Sequence, residues 1–213
     1  IDKPDSANAS LHREWLLLEL REDWLLGEQR HAAGSLLAIR LEAFLRGERD
    51  FDVLFAPTDR SSLAGFSGTR NHVLLNVLDN VKNRVYVLTH ADGTWRREPL
   101  PGLPEFGTIS ASAVDEEESD AYWLTITDYL TPTSLWLGTI GKGAPERLKS
   151  LPAFFDASGL VVEQRETKSA DGTQVPYFLV HAKGVERNGE NPTLLYGYGG
   201  FEVSLPPSYS APV

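Results

Sequence analysis

Apolar and polar residues alternate along most of this chain in short bursts separated by turn chemistry, and no stretch sustains the 3.6-residue period of an amphipathic helix. Candidate strands run over Trp15–Leu20, Ser35–Leu41 and Asp52–Phe55. His72–Leu78 and Arg84–Thr89 follow, with Asn80-Val81-Lys82-Asn83 turning between them. Asp92-Gly93 is a hairpin signal leading into Trp95–Glu98. Thr108–Val114, Tyr122–Thr127 and Ser134–Thr139 complete the series, the last two separated by Thr131-Pro132-Thr133. Ala43–Arg49 is the one segment that reads as a short helical turn. Short strands at this spacing predict a sandwich, a barrel or propeller blades. The windows Val53–Trp95 and Ile109–Leu148 each hold the strands of about one four-stranded blade.

The pattern changes after Pro152. Two longer strands are expected over Leu160–Lys168 and Gln174–Ala182, joined by Ala170-Asp171-Gly172-Thr173. A polar loop over Lys183–Glu190 leads to an apolar strand, Thr193–Tyr196. That strand breaks into Gly197-Tyr198-Gly199-Gly200-Phe201, where the backbone is expected to bend sharply or approach another group closely. Ligands of open α/β sheets sit outside the carboxyl ends of strands, where a tyrosine can aim its hydroxyl into a cleft.

Composition narrows the function classes. The chain has 213 residues, of which 41% are hydrophobic and 23% charged, an ordinary globular balance. No apolar run is long enough to span a membrane, and Glu19, Arg21, Glu22 and Asp23 interrupt the most apolar N-terminal stretch. A soluble protein is expected, with a cytoplasmic setting favoured over a periplasmic one. The net charge of -10 argues against nucleic acid as a partner. The acidic run Asp115-Glu116-Glu117-Glu118 reads as a solvated loop, since a cation site needs carboxylates converging from several positions. With no cysteine there is no disulfide, zinc-thiolate site or cysteine nucleophile. Neither a metal nor any other cofactor is called for. There is no methionine either, so a piece of a longer polypeptide is expected. Asn8-Ala9-Ser10 fits a glycosylation sequon, a match common by chance.

Three segments carry a family resemblance. Leu194-Leu195-Tyr196-Gly197-Tyr198-Gly199-Gly200-Phe201, with its flanks Asn191-Pro192-Thr193 and Glu202–Ser210, resembles the prolyl oligopeptidase family of serine peptidases. Lys168–Phe178 is similar to the hairpin that opens that family's catalytic domain, and Asp128–Thr133 to a loop in its last propeller blade. The resemblance implies a mostly β chain: part of a seven-bladed β-propeller, about half of it, over residues 1–152. The first strands of an α/β-hydrolase domain would occupy 153–213, stopping before the nucleophile. It further implies hydrolysis of short peptides on the carboxyl side of proline by a Ser-Asp-His triad. The family's relative that cleaves after Lys and Arg tends to carry Tyr-Gly-Ser-Tyr, so Gly200 and Phe201 favour the proline-specific branch.

On that resemblance Tyr198 is the donor to the oxyanion of the tetrahedral intermediate, a role worth several kcal/mol of barrier. Phe201 lines the pocket for the proline ring. The alternatives are a core tyrosine and a core phenylalanine. Tyr196 is expected to pack in its strand, and Gly197, Gly199 and Gly200 to serve the bend. The triad is not expected in this chain. Gly65-Phe66-Ser67-Gly68-Thr69 lacks the closing glycine of a nucleophile elbow, which leaves Ser67 a loop serine. His12, His31, His72, His90 and His181 form no metal-binding or base pattern, and His181 reads as structural. The expected partners are short proline-containing peptides and the remainder of the parent polypeptide. The competing readings are a non-catalytic propeller-like interaction module, or an oligopeptidase of different residue preference. Blade edges left uncovered would make an isolated fragment prone to aggregate.

Overall fold

A computed structural model describes residues 3–201 and 203–210. Its main body is three four-stranded antiparallel sheets, formed in succession along the chain. Sheet 1 has the order β1 (Asn8–His12), β2 (Trp15–Glu19), β5 (Leu36–Arg40) and β6 (Asp52–Phe55). The small hairpin β3 (Trp24–Leu26) and β4 (Gln29–His31) is inserted within it, as is the short helix α1 (Leu41–Leu45). Sheet 2 runs β7 (Ser61–Gly68), β8 (Val73–Asp79), β9 (Lys82–Ala91) and β10 (Thr94–Pro99). Sheet 3 runs β11 (Thr108–Ala113), β12 (Ala121–Thr127), β13 (Ser134–Thr139) and β14 (Glu146–Ser150).

The strands expected before Pro152 are present to within a few residues, but the grouping differs. Val53 lies in the last strand of sheet 1, not at the start of the next unit. Sequence reading passed over β1, β7 and β14, and also the short strands β3 and β4. Asn8–His12 and Glu146–Ser150 are largely exposed edge strands with no apolar face to show, and β7 is built from small residues. Ser67 is accordingly a strand residue of β7, not a loop serine.

Sheet 2 lies between the other two, which explains its near-continuous apolar run at Val73–Val77. Val73, Leu75 and Val77 pack with Trp15, Leu17, Leu36 and Leu54 of sheet 1. Leu74, Val85 and Val87 pack with Ile109, Tyr122, Leu124 and Ile126 of sheet 3. The far face of sheet 1, including Leu16, Leu18, Leu37 and Ile39, is closed by Phe44 of α1, by Phe51 and by Trp24 of β3. Trp24 and Phe51 meet edge-on at 5.3 Å between ring centroids.

The first strands of the sheets adjoin one another. His12 of β1 sits over Gly68 of β7 so closely that no Cβ would fit there. The free edge of β11 lies on the face of sheet 2 and is met there by side chains. Asn83 Oδ1 accepts from Ile109 N–H at 3.3 Å, Asn76 Oδ1 from Ala111 N–H at 2.8 Å, and Ser67 Oγ from Ala113 N–H at 2.9 Å. Asn76 Nδ2 in turn donates to the Ala111 carbonyl at 2.9 Å. A second tie joins sheets 2 and 3 at Asp120. Its carboxylate accepts from Thr69 Oγ1, from Asn71 N–H and from Asn71 Nδ2 at 2.7–2.9 Å. Within sheet 3, buried Tyr122 lies flat across its ladder partner Gly138, where a side chain would collide with the ring.

Beyond sheet 3, β15 (Leu160–Lys168) and β16 (Gln174–Ala182) form the expected hairpin, in register from Leu160↔Ala182 to Lys168↔Gln174. The expected strand Thr193–Tyr196 does not form. Leu194, Leu195 and Tyr196 are all exposed and no ladder partner lies beside them, so the apolar run alone does not hold an extended pairing.

Two measurements test this account. Asn76→Ala leaves both the N–H and the carbonyl of Ala111 unpaired in a buried seam. The expected loss is about 2–4 kcal/mol, read as a lower urea midpoint, whereas an unchanged midpoint refutes the edge contact's importance. The second is pH dependence. Burial lowers the pKa of His31, whose Nε2 has no partner, and of His12, where Arg13 adds to the effect. Both rings are then neutral when folded and gain a proton more readily when unfolded. Stability is therefore complete above about pH 6.5 and falls as the pH drops below it. The slope of unfolding free energy between neutral and mildly acidic pH should flatten in His31→Leu.

Candidate functional site

The hairpin and the glycine-rich segment are fastened to one end of the sheets. Phe178 of β16 sits edge-on against Phe106 at 5.5 Å and tilted against Tyr129 at 5.7 Å. Phe106 and Tyr129 flank Thr108 and Thr127, which are ladder partners in sheet 3. The chain returns to that same pair after the glycines. Thr108 Oγ1 donates to the carbonyl of buried Pro207 at 2.5 Å, and Tyr209 N–H donates to Thr127 Oγ1 at 3.2 Å. Tyr209 also stacks on Phe154 and Phe155, and its hydroxyl oxygen accepts from Phe154 N–H at 2.8 Å. Residues 183–201 and 203–206 thus belong to an excursion tethered on either side to one corner of sheet 3.

Tyr198 and Phe201 lie on that excursion, and neither is a core residue. Tyr198 is 54% exposed and Phe201 94% exposed. The Tyr198 ring folds back over Gly200, where an added Cβ would stand 2.7 Å from its hydroxyl oxygen. Gly200 leaves room for this approach, and a side chain there would displace the exposed ring. The left-handed position of the bend falls to Phe201, at φ 55°, and not to any of Gly197, Gly199 or Gly200. A turn follows it, closed by Val203 N–H donating to the Gly200 carbonyl at 3.1 Å. Glu202 lies outside the described residues. A bulky residue held at positive φ is uncommon and carries a conformational cost of about 1–2 kcal/mol.

The remaining candidates resolve into structural roles. His90 packs against Trp15 at 4.7 Å, and His181 lies 3.4 Å from Glu163 while bonding the Ala182 carbonyl. His72 Nδ1 and Thr89 Oγ1 are 2.7 Å apart. Asp120 is engaged by Thr69 and Asn71. Burial opposes ionisation of Asp120, but the bonds from Asn71 and Thr69 outweigh it and hold the carboxyl below the usual range. Among the described residues no serine hydroxyl bonds a histidine, and no group of three or more His, Asp or Glu converges as a metal site. The acidic loop is exposed, with Asp115 turned onto the Glu117 and Glu118 N–H groups, which lower its pKa. One cavity of about 370 Å³ is lined by Leu11, His12, Arg13, Glu116 and Glu117, and does not touch the excursion.

Sequence reading missed the polar groups that seat the hairpin. Glu166 accepts from Asn80 Nδ2 at 2.9 Å and from Arg60 at 2.5 Å, and these bonds lower its pKa. Gln164 donates to the Asn80 carbonyl at 2.8 Å. The Asn80-Val81 turn was the available signal.

No family model matches the sequence. An uncharacterized peptidase of Sinorhizobium fredii is 39% identical over 196 residues, covering 90% of this chain and 27% of that protein. One from Rickettsia prowazekii is 33% identical over 93% of this chain and 28% of its own length. A prolyl endopeptidase of Elizabethkingia miricola is 36% identical over 108 residues, 51% of this chain and 15% of that protein. Among solved structures, a post-proline cleaving enzyme from Rickettsia typhi matches 99% of this chain with a TM-score of 0.77 and 30% identity. The chain belongs to the prolyl oligopeptidase family. It spans under a third of the length of these relatives.

As a test of the site geometry, the Gly200 Hα protons should resonate upfield in NMR spectra, shielded by the Tyr198 ring. The shift should vanish in Tyr198→Ala. Equal shifts in the two proteins would contradict the folded-back ring.

Proposed function

We propose that this chain is part of a serine peptidase that hydrolyses short peptides on the carboxyl side of proline. Its three sheets act as three propeller blades over residues 1–152, and residues 153–213 open the α/β-hydrolase domain. The observation that carries the reading is the Tyr-Gly-Tyr-Gly-Gly-Phe excursion, presented at one corner of three successive four-stranded meanders. The 30% identical post-proline cleaving enzyme supports it over nearly the whole chain.

In this reading the serine, aspartate and histidine lie outside these 213 residues. Tyr198 presents its exposed phenol to the oxyanion, and its hydroxyl is the only group it needs to supply. Phe201 offers an unpacked apolar ring to the pyrrolidine of the substrate. The propeller part restricts access to large substrates. No step requires a metal or cofactor from the residues described.

The purified chain alone should not hydrolyse a chromogenic proline peptide, and a serine-directed reagent should leave it unlabelled. Turnover that such a reagent blocks would place the nucleophile within this chain and overturn the reading. In the full-length polypeptide, Tyr198→Phe should lower kcat by about 10²–10³-fold with little change in KM. Phe201→Ala should raise KM for proline peptides over peptides with other residues there.

A further inference from the structure

The cavity that lies away from the excursion draws its walls from two different sheets. Leu11, His12 and Arg13, at the β1–β2 turn, form one side, and Glu116 and Glu117 of the acidic loop before β12 form the other. The backbone of Arg70, in the turn between β7 and β8, joins the two. Its carbonyl accepts from Arg13 Nη1 at 2.7 Å, and its N–H donates to the Ser119 carbonyl at 3.0 Å. The volume of about 370 Å³ is in the range of small-molecule sites. β11 runs from Thr108, beside the tethered corner, to Ala113, from which the acidic loop leaves. The cavity is therefore at the opposite end of sheet 3 from the anchorage of the excursion, roughly 17 Å along the strand.

The lining leaves several polar groups without partners. His12 is 7% exposed, and its ring makes no hydrogen bond among the described residues. A Cβ on Gly68 would stand 2.5 Å from its Nδ1, so that nitrogen is covered and Nε2 is left for the cavity. A ring nitrogen so placed gains from any ligand that bonds it. Arg13 and the two glutamates bring opposite charges to the same space, yet no ion pair joins them among the described residues. The neighbouring charges are taken up elsewhere. Glu14 pairs with Arg40 at 3.2 Å, and Asp115 accepts from the N–H groups of Glu117 and Glu118. The Arg70 carbonyl fixes the Arg13 guanidinium through one nitrogen and leaves its other donors open.

A lone anion on Arg13 would face two carboxylates, and a lone cation on the glutamates would face the guanidinium. A metal ion does not fit, since no three His, Asp or Glu converge among the described residues. We infer that this cavity is a binding site for a small zwitterion carrying one ammonium and one carboxylate, the chemistry shared by free amino acids and dipeptides. The ligand's ammonium donates to Glu116 and Glu117, its carboxylate accepts from Arg13, and His12 Nε2 takes one further hydrogen bond. Burial and the Arg13 charge both lower the pKa of His12, so the ring adds that bond without a third charge. The inference goes beyond the peptidase reading and does not depend on it.

Isothermal titration calorimetry of the full-length polypeptide with glycine and with glycylglycine tests the site, with acetate and ethylammonium as single-charge controls. At least one zwitterion should bind, and each control should bind at least about tenfold more weakly. Binding of glycine identifies an amino-acid site, and binding of glycylglycine alone a dipeptide site; either result supports the inference. Arg13→Asn removes the charge while keeping a residue that tolerates the φ of 52° found there. That variant and the double variant Glu116→Gln with Glu117→Gln should each weaken binding by about tenfold. Tyr198→Phe should leave it unchanged, which separates this site from the proposed peptidase site. The inference is overturned if neither zwitterion binds or if acetate or ethylammonium binds equally well. Affinity that is lost in Tyr198→Phe, or that survives both charge-removing variants, overturns it as well.

Discussion

The constraint on which this structure rests is the free edge of β11. An antiparallel strand paired on one side only presents N–H groups on the other, and here that edge lies against the face of a neighbouring sheet, buried at Ala111 and half-buried at the bonds of Ile109 and Ala113. Ile109, Ala111 and Ala113 each present an N–H to that seam, and each meets a side-chain acceptor from sheet 2. Asn83, Asn76 and Ser67 come from three different strands, yet together they do what one further strand would do. Each such group left orphaned costs about 1–3 kcal/mol, a substantial part of a domain's whole margin. The apolar contacts between sheets 2 and 3 supply the attraction, and these three side chains fix the position.

This explains what was legible in the sequence and what was not. Strands whose side chains are buried on one or both faces, such as Val73–Asp79 and Ala121–Thr127, announced themselves by apolar content. Strands defined by their backbone neighbours did not, and β1 and β14 carry polar sequences because their side chains face water. Asn76 interrupts the apolar run of β8, and nothing in one sequence says that its amide answers a backbone amide in another sheet. The opposite failure occurred at Thr193–Tyr196, where an apolar run signalled a strand that has no partner to pair with.

The glycine-rich segment shows the same division. The family resemblance it carries agrees with relatives of 33–39% identity. The distribution of labour inside it was not legible. Three glycines suggested three backbone requirements, yet only Gly200 is confined by a neighbour, and the left-handed residue is Phe201. Tethering at Phe178 and at Pro207–Tyr209 was equally hidden, because it depends on Thr108 and Thr127 lying opposite each other in a sheet remote in sequence.

The stacking of the three sheets also gives the body a direction. Its β1 end is finished: α1, Phe51 and the small hairpin close the outer face of sheet 1. The β14 end is not, since Trp123, Leu135 and Leu137 on the outer face of sheet 3 remain partly open. At the junction of sheets 2 and 3, β11 lies on the broad face of the preceding sheet. The two ends of the body therefore differ in kind: the outer face of sheet 1 is covered by its own chain, whereas the outer face of sheet 3 still presents part of its apolar side chains to solvent.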